Sequence, residues 1–371
     1  MKTSKKLAVA GSAVLAGGLA VTGALVVTDP GESKTAASVG ASAATVWPLV
    51  QSGAYSGTSQ LNGIVAAPDG SVWAGGSLVT QRKSLLKKLS GGKWSDVALP
   101  ASLGAYDMGT LGASSASDVW ALGRPTVSGA PALLHWNGTK WAKSALPASF
   151  TPDQFAVVNA KNAWMTGYGP VGKRWNGTAW SDSTIGINPV KIDALSASNA
   201  WAAGFVREEA QPAVARWNGT AWSRVPFPKI GGIDQSQRSP AFNDVEVVAA
   251  NDVWAVGAVP VKDAAGKTAM RSLFAHWNGA AWSHTLGAPG TGFAQVESDG
   301  AGGIWILDDT KTLRHRTAAG AWTAETLAAP AGRTALVYGM ARQAGTKTIW
   351  VAGNTIDAKG MAATAIWRSN S

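Results

Sequence analysis

The sequence predicts an all-β fold, a seven-bladed β-propeller whose N-terminal strand closes the last blade. Three observations predict it: a tryptophan motif that occurs seven times, an Asn-Gly motif that follows most copies, and a composition suited to short strands. The 371 residues include 44 glycines and 19 tryptophans, and only 15% are charged. Such a composition is typical of many short strands joined by tight turns, and not of long amphipathic helices.

The first motif centres on a tryptophan that we call the anchor tryptophan. It reads Asp-Val-Trp-Ala-Val-Gly at 252–257 and recurs with small changes along the chain. The anchors are Trp73, Trp120, Trp164, Trp201, Trp254, Trp305 and Trp350. Their spacing ranges from 37 residues (Trp164 to Trp201) to 53 residues (Trp201 to Trp254). Because one four-stranded blade has about this length, seven anchors predict seven blades.

The second motif predicts the hairpin between the third and fourth strands of a blade. The stretch 135–141, His-Trp-Asn-Gly-Thr-Lys-Trp, recurs at 174–180, 216–222 and 276–282, with degraded copies at 88–94 and 315–322. Asn-Gly between two strand-like runs indicates a type I′ turn, because both residues tolerate positive φ. The first residue is basic in all six copies, and we expect this cation to pack on a tryptophan and not to bind a metal.

The seventh blade lacks a fourth strand at the C-terminal end of the chain. The sequence stops at 366–371, where the other copies continue through the hairpin to a closing tryptophan. The stretch 45–49, Thr-Val-Trp-Pro-Leu, resembles the fourth-strand stretch 221–226. An open edge costs hydrogen bonds and invites aggregation, so we predict that residues 45–49 complete the seventh blade.

Residues 1–43 read as an export segment and residues 44–371 as the propeller. Lys2, Lys5 and Lys6 precede the uncharged apolar run 7–27, which an Ala/Ser-rich linker follows. This pattern predicts a signal peptide and a secreted protein. The run is also long enough to span a bilayer, so an N-terminal membrane anchor that holds the propeller at the cell surface is the alternative.

Composition excludes several kinds of site. The chain has no cysteine, which rules out disulfides, thiolate metal sites, a cysteine nucleophile and a lipoprotein acylated on cysteine. We predict no cofactor and no metal centre. The net charge is +10, but the basic residues are scattered, so nucleic acid is not an expected partner. An extracellular glycan, a cell-wall polymer or a protein is the expected partner.

The two motifs resemble those of secreted bacterial β-propeller proteins, grouped with the kelch and galactose-oxidase-like propellers. The resemblance covers 45–371 and rests on Asp-Val-Trp-Ala-Val-Gly and His-Trp-Asn-Gly-Thr-Lys-Trp. It implies a propeller fold and export, and no defined activity. The chain departs from WD repeats, since no anchor tryptophan precedes an aspartate, and the tyrosine–cysteine crosslink of galactose oxidase is impossible without cysteine.

Loop lengths distinguish the two faces of the predicted ring. Loops between strands 1 and 2 and between strands 3 and 4 are short and recurrent, and they form what we call the turn face. Loops between strands 2 and 3 and between successive blades vary, and they form the variable face. Because regular scaffolds carry function on variable loops, we predict a binding site there. Its candidate residues are Arg82, Arg207, Arg238 and Arg271, the last two in loops at 228–240 and 261–271.

The innermost strand of each blade is expected to line a central channel. Eight residues before each anchor lie Val65, Gly112, Ala156, Asp193, Glu246, Glu297 and Arg342. Ten residues before, on the same face of the strand, lie Lys191 and Asp244 among others. If the protein is an enzyme, Asp193, Glu246 and Glu297 are the catalytic candidates, because paired carboxylates perform general acid–base chemistry. The alternative is a solvated wall in which Lys191 and Arg342 balance the carboxylates.

Three functional hypotheses follow. The pattern favours a non-enzymatic binding module for a glycan, a cell-envelope polymer or a protein on the variable face. The second hypothesis is a polysaccharide hydrolase or lyase that uses the channel carboxylates. The third is a structural or adhesive surface protein. The fold alone does not decide among them, since propellers host both binding and catalysis.

Overall fold

The computed structural model describes residues 45–53, 55–126, 128–237, 240–308 and 312–369. The predicted N-terminal segment 1–43 lies outside these residues. The described chain is almost entirely β-strand, with one short 3₁₀ helix at Ala101–Leu103. None of its helices is long and apolar enough to span a membrane.

The strands form seven sheets, each of which is one blade. The chain begins with β1 (Val46–Trp47) and β2 (Leu49–Ser52). Blades 1 and 2 are β3 (Ser59–Ala66), β4 (Val72–Leu78), β5 (Lys83–Ser90), β6 (Lys93–Asp96), β7 (Tyr106–Ser115), β8 (Asp118–Pro125), β9 (Ala132–Trp136) and β10 (Trp141–Ser144). Blades 3 and 4 are β11 (Pro152–Asn159), β12 (Asn162–Gly167), β13 (Val171–Trp175), β14 (Trp180–Thr184), β15 (Asn188–Ser196), β16 (Asn199–Val206), β17 (Gln211–Trp217) and β18 (Trp222–Val225).

The remaining blades differ more from one another. Blade 5 is β19 (Ala241–Ala249), β20 (Asp252–Lys262), β21 (Thr268–Trp277) and β22 (Trp282–Pro289). Blade 6 is β23 (Phe293–Ser298), β24 (Ile304–Asp308), β25 (Leu313–Arg316) and β26 (Trp322–Leu327), and blade 7 contains β27 (Arg333–Arg342), β28 (Ile349–Asp357) and β29 (Ala362–Arg368). The first strand of each blade contacts the first strands of both neighbours, which closes the inner ring around a channel. The predicted seven-bladed fold is therefore confirmed.

The N-terminal segment closes the ring by pairing with two blades. Strand β2 is the outer strand of blade 7 and runs antiparallel to β29, with Leu49 opposite Trp367. Strand β1 instead runs parallel to β26 at the edge of blade 6, with Trp47 opposite Leu327. Closure is as predicted, but the fourth strand of blade 7 is 49–52 and not 45–49. Pro48, which has no N–H to donate, marks the change from one sheet to the other.

Tryptophans fill the gaps between blades. Each closing tryptophan after an Asn-Gly turn packs against the anchor of the preceding blade, as Trp222 does against Trp164 at 80° between ring planes. The same edge-on contact occurs in Trp94–Trp350, Trp141–Trp73, Trp180–Trp120 and Trp282–Trp201. Blades diverge with radius, so a large side chain fills space there that leucine leaves open.

The basic residue at the start of the Asn-Gly motif lies opposite the anchor in the register of strands 2 and 3. Lys88 lies 4.9 Å from the ring centre of Trp73, and the ring of His276 stacks on Trp254 at 3.8 Å. Arg174, Arg216, His135 and His315 pack on their anchors in the same way. The predicted packing of this basic residue on a tryptophan is confirmed.

Candidate functional site

The variable face carries the arginines that the sequence indicates, where the described chain includes them. Arg82 ends the turn between β4 and β5, and Arg207 begins the turn between β16 and β17. Both are exposed, and the Arg207 guanidinium lies 5.8 Å from the ring centre of Phe205. Arg238 lies outside the described residues. The expected placement of Arg271 in a loop is wrong.

Arg271 lies within β21 because the blade 5 hairpin is longer than the sequence suggested. It pairs with Val259, and the turn of this hairpin is confined to 263–267. Strands β20 and β21 continue to pair as far as Lys262 and Thr268, beyond the point at which loop composition suggests that they end. Arg271 is half-buried along this hairpin, while Arg82 and Arg207 are at loop tips.

A polar segment before β19 supports the blade 5 hairpin. Asp234, buried at 4% exposure, accepts hydrogen bonds from the Ser236 N–H and hydroxyl and from the Thr268 hydroxyl. Its backbone N–H bonds to the Pro260 carbonyl at 2.9 Å, and Lys262 lies 3.5 Å from its carboxylate. These contacts join the segment before β19 to the blade 5 hairpin.

Two tyrosines add apolar surface to the variable face. Tyr168 lies in the loop between β12 and β13 and is 87% exposed. Tyr338, at 41% exposure, lines the channel mouth. Isolated tyrosines carry no repeat signal, so sequence reasoning did not identify them. Their rings offer flat contact area at low entropic cost, which is why tyrosine is enriched at interfaces.

The mouth of the channel is shaped by a β-bulge near the start of each inner strand. The register shifts pass over Asn62, Asp153, Asn243 and Tyr338 in blades 1, 3, 5 and 7, and similar shifts occur in blades 2, 4 and 6. A bulge turns an extra side chain toward one face of the strand. These four residues line the channel, whose volume is about 1010 Å³.

The predicted channel register is correct in six blades. Asp193, Glu246 and Glu297 lie opposite Trp201, Trp254 and Trp305 and line the channel. In blade 7, however, Ala341 and not Arg342 lies opposite Trp350. Ala341 and Trp350 are nine residues apart, whereas the paired residues in the other blades are eight apart, so counting back eight residues misplaces the pair. Arg342 still lines the channel.

Each channel carboxylate binds the backbone of the next blade. Asp193 accepts a hydrogen bond from the Val247 N–H at 2.8 Å, and Glu246 accepts one from the Ser298 N–H at 3.3 Å. Glu297 accepts the N–H of Arg342, and Asp244 accepts the Val296 N–H at 3.0 Å. The carboxylates therefore join the inner strands of blades 4, 5, 6 and 7.

Enclosure in the channel wall changes the proton affinity of these groups. Burial raises the pKa of Asp193, Asp244 and Glu246, and the nearby Glu297 carboxylate raises that of Glu246 further. Burial raises the pKa of Glu297 to about 8. Asp244, 3.7 Å from Lys191, raises the pKa of that ammonium. The described residues contain no group of three or more carboxylates or histidines able to hold a metal ion.

Each of these carboxylates accepts at least one backbone N–H, so each contributes to holding neighbouring inner strands together. In blades 1 to 3 the residues opposite the anchors, Val65, Gly112 and Ala156, are small or apolar. Charged residues line the channel in these blades too, namely Asp107, Arg124 and Asp153, and Lys191 and Arg342 line it in blades 4 and 7.

Comparison with known proteins shows the fold. No family model matches the chain, and no curated protein matches it. A solved structure described as YCF48 bound to D1 peptide is 13% identical, covers 86% of this chain and 99% of its own, and has a TM-score of 0.52. YCF48 from Cyanidioschyzon merolae is 14% identical, covers 85% and 98%, and has a TM-score of 0.56.

Proposed function

We propose that this chain is an exported, non-enzymatic binding module that holds a peptide segment of a partner protein on its variable face. The observation that carries the proposal is the contrast between the faces. The turn face repeats short turns, whereas the variable face presents Arg82, Arg207 and Tyr168 on loops that differ from blade to blade. Scaffolds diversify loops where they bind.

Backbone strain supports the same face. Within the described part of the chain, the non-glycine residues with positive φ are Arg82 at 53°, Ser149 at 61° and Ala210 at 47°. All three lie in variable-face loops, and two of those loops carry the candidate arginines. Left-handed backbone costs energy at residues with a side chain and tends to cluster at functional sites.

A peptide is favoured over a glycan by the surface chemistry and by one similar fold. Arg82 and Arg207 make no ion pair with any residue that the structure describes, so they remain available to acidic groups of a partner. The exposed tyrosines suit apolar side chains. A propeller with a similar fold has been solved with a peptide, the D1 peptide bound to YCF48.

The test is a binding selection with the full chain. A library of random peptides and a panel of cell-wall polymers are probed in parallel, and the affinity of each hit is measured. The Arg82→Ala/Arg207→Ala variant is compared with Lys140→Ala/Lys161→Ala, which removes equal charge from exposed turn-face positions. We expect saturable peptide binding that weakens at least about tenfold in the arginine variant only.

Three other results of this selection would contradict peptide binding on the variable face. Binding to a polymer and to no peptide would replace the protein partner with a glycan. An equal loss in both double variants would show that net charge, and not the variable face, drives binding. Release of cleavage products from a polymer would restore the enzymatic alternative.

A further inference from the structure

The basic position opposite the anchor tryptophan is occupied in the seventh blade as well, by Arg368. It pairs with Trp350 in the register of β28 and β29, as Arg216 pairs with Trp201. Sequence comparison missed it because no Asn-Gly turn follows. Arg368 is exposed, and unlike its six counterparts it does not stack on its anchor. Its side chain makes no ion pair or hydrogen bond with any part of the chain that the structure describes.

The neighbours of Trp350 explain this difference. The Trp350 indole N–H donates to Gln343 Oε1 at 3.1 Å, and Trp94 packs edge-on against the ring at 5.5 Å. Gln343 is fixed in turn by donating from Nε2 to the Gly70 carbonyl at 3.0 Å. The anchor of blade 7 is thus held by other groups, and the guanidinium of Arg368 is left beside it.

Arg368 lines a cavity of about 250 Å³ on the turn face, at the junction of blades 7 and 1. The other lining residues are Gly70, Leu89, Gly91, Gly92, Gln343, Thr348 and Trp350. None of these described lining residues carries a carboxylate. Gly91 and Gly92 have φ of 55° and 75°, and a Cβ on either would meet no atom within 4 Å, so this wall is open backbone.

The described lining residues supply hydrogen-bond donors and no acidic side chain. A guanidinium presents five N–H groups in a planar fork that matches an oxyanion, and the Gln343 amide keeps a second N–H beyond the one it gives to Gly70. The hydroxyl of Thr348 adds a donor at the same cavity. We propose that this cavity is a binding site for a single oxyanion, a carboxylate or a phosphate group.

The size of the cavity limits the ligand. Pockets for drug-sized molecules occupy about 300–1,000 Å³. A cavity of about 250 Å³ suits one acidic sugar unit or one phosphate, and not a long chain. This site lies on the face opposite the proposed peptide surface, so the two proposals stand or fall separately.

The experiment is calorimetric titration of the full chain with inorganic phosphate, with galacturonate and with uncharged galactose. The variants are Arg368→Ala, Arg368→Lys and Lys347→Ala, the last removing a nearby exposed charge that does not line the cavity. We expect phosphate or galacturonate to bind and galactose not to bind. Arg368→Ala should weaken binding at least about tenfold, Arg368→Lys should restore it in part, and Lys347→Ala should leave it within about twofold.

Binding of phosphate or of galacturonate with this response to the variants supports the site. The difference in affinity between the two anions shows whether the site prefers a phosphate or a carboxylate. Tryptophan fluorescence of each variant checks that the fold is retained, which is expected because Arg368 is exposed. Absence of saturable binding by both anions would overturn the proposal. So would unchanged affinity in Arg368→Ala, or an equal loss in Lys347→Ala.

Discussion

The indole of Trp47 packs edge-on against that of Trp305, with 4.8 Å between ring centroids and 76° between ring planes. Five other closing tryptophans pack on the preceding anchor at 78–82°. Trp47 is fully buried, and its indole N–H donates to Glu325. Trp47, which directly precedes Pro48 and the fourth strand of blade 7, thus takes the packing position of a closing tryptophan while its own strand pairs with blade 6.

Replacing Trp47 with alanine should open this junction. We expect Trp47→Ala to lower the free energy of unfolding by about 3–5 kcal/mol, because a fully buried indole and its cavity are lost. Tyr168→Ala is the matched control, since that ring is 87% exposed, and it should change stability by less than about 0.5 kcal/mol. Denaturant titration measures both. Equal stability of the two variants would contradict the packing role of Trp47.

The channel carboxylates should make the ring less stable at alkaline pH. Burial raises the pKa of Glu297 from its ordinary value of 4.5 to about 8, so the folded state retains a proton that the unfolded state releases between these values. The free energy of unfolding therefore falls as the pH rises from about 4.5 to about 8. Glu297→Gln keeps an acceptor for the Arg342 N–H and should be more stable than the native chain above pH 8, by about 2 kcal/mol.

Denaturant midpoints measured across this pH range test that expectation. Glu208→Gln serves as the control because Glu208 is exposed and outside the channel. We expect the denaturant midpoint of the control to depend on pH as that of the native chain does. The midpoint of Glu297→Gln should depend on pH less. Parallel curves for all three proteins would show that Glu297 is not held in its protonated form.

On the acid side, Asp299 should stabilise the fold through His315. Partial burial acts to raise the pKa of Asp299, but hydrogen bonds from His315 and from the Ala301 and Gly303 N–H groups outweigh it and hold the pKa below its ordinary 3.8. This contribution to stability is present at pH values above the pKa of Asp299 in the unfolded state. It is lost as the pH falls through the pKa of Asp299 in the folded state. Asp299→Asn should lower the free energy of unfolding by about 1–2 kcal/mol at neutral pH. On acidification, the variant should lose less stability than the native chain does.

Thermal unfolding between pH 2.5 and pH 7 distinguishes the outcomes. The native chain should destabilise steeply below about pH 4, and Asp299→Asn more gradually. Asp263→Asn, an exposed aspartate at a loop turn, is the control for loss of one carboxylate. If the native chain and Asp299→Asn lost the same stability at low pH, the stabilising role of the Asp299–His315 pair would be contradicted.

Repetition made the architecture readable from the sequence. Each anchor tryptophan occurs in a recognisable context, and Trp47 matches the closing tryptophans, so the blade number and the closure followed from local comparison. The opposition of Glu246 and Trp254 followed from a constant separation of eight residues. The rule of eight residues failed at Arg342, because one inserted residue shifts the strand and no residue type signals the insertion.

Features that depend on tertiary contacts were less predictable. The bulges that turn Asn62 and Tyr338 toward the channel leave no mark in the residue pattern. The extension of the blade 5 hairpin past Arg271 depends on support from the Asp234 segment, which lies far from it in sequence. Arg368 has the residue type of its repeat position, and only its different packing distinguishes it from the other six.

The central claim, that the variable face binds a peptide, is tested most directly by hydrogen–deuterium exchange of the full chain with and without a saturating selected peptide. We expect slower exchange in the variable-face loops 79–82, 168–170 and 207–210, and unchanged exchange in the turns 137–140 and 218–221. Protection confined to the turn face or to the inner strands of the channel, or no protection at saturation, would contradict the claim.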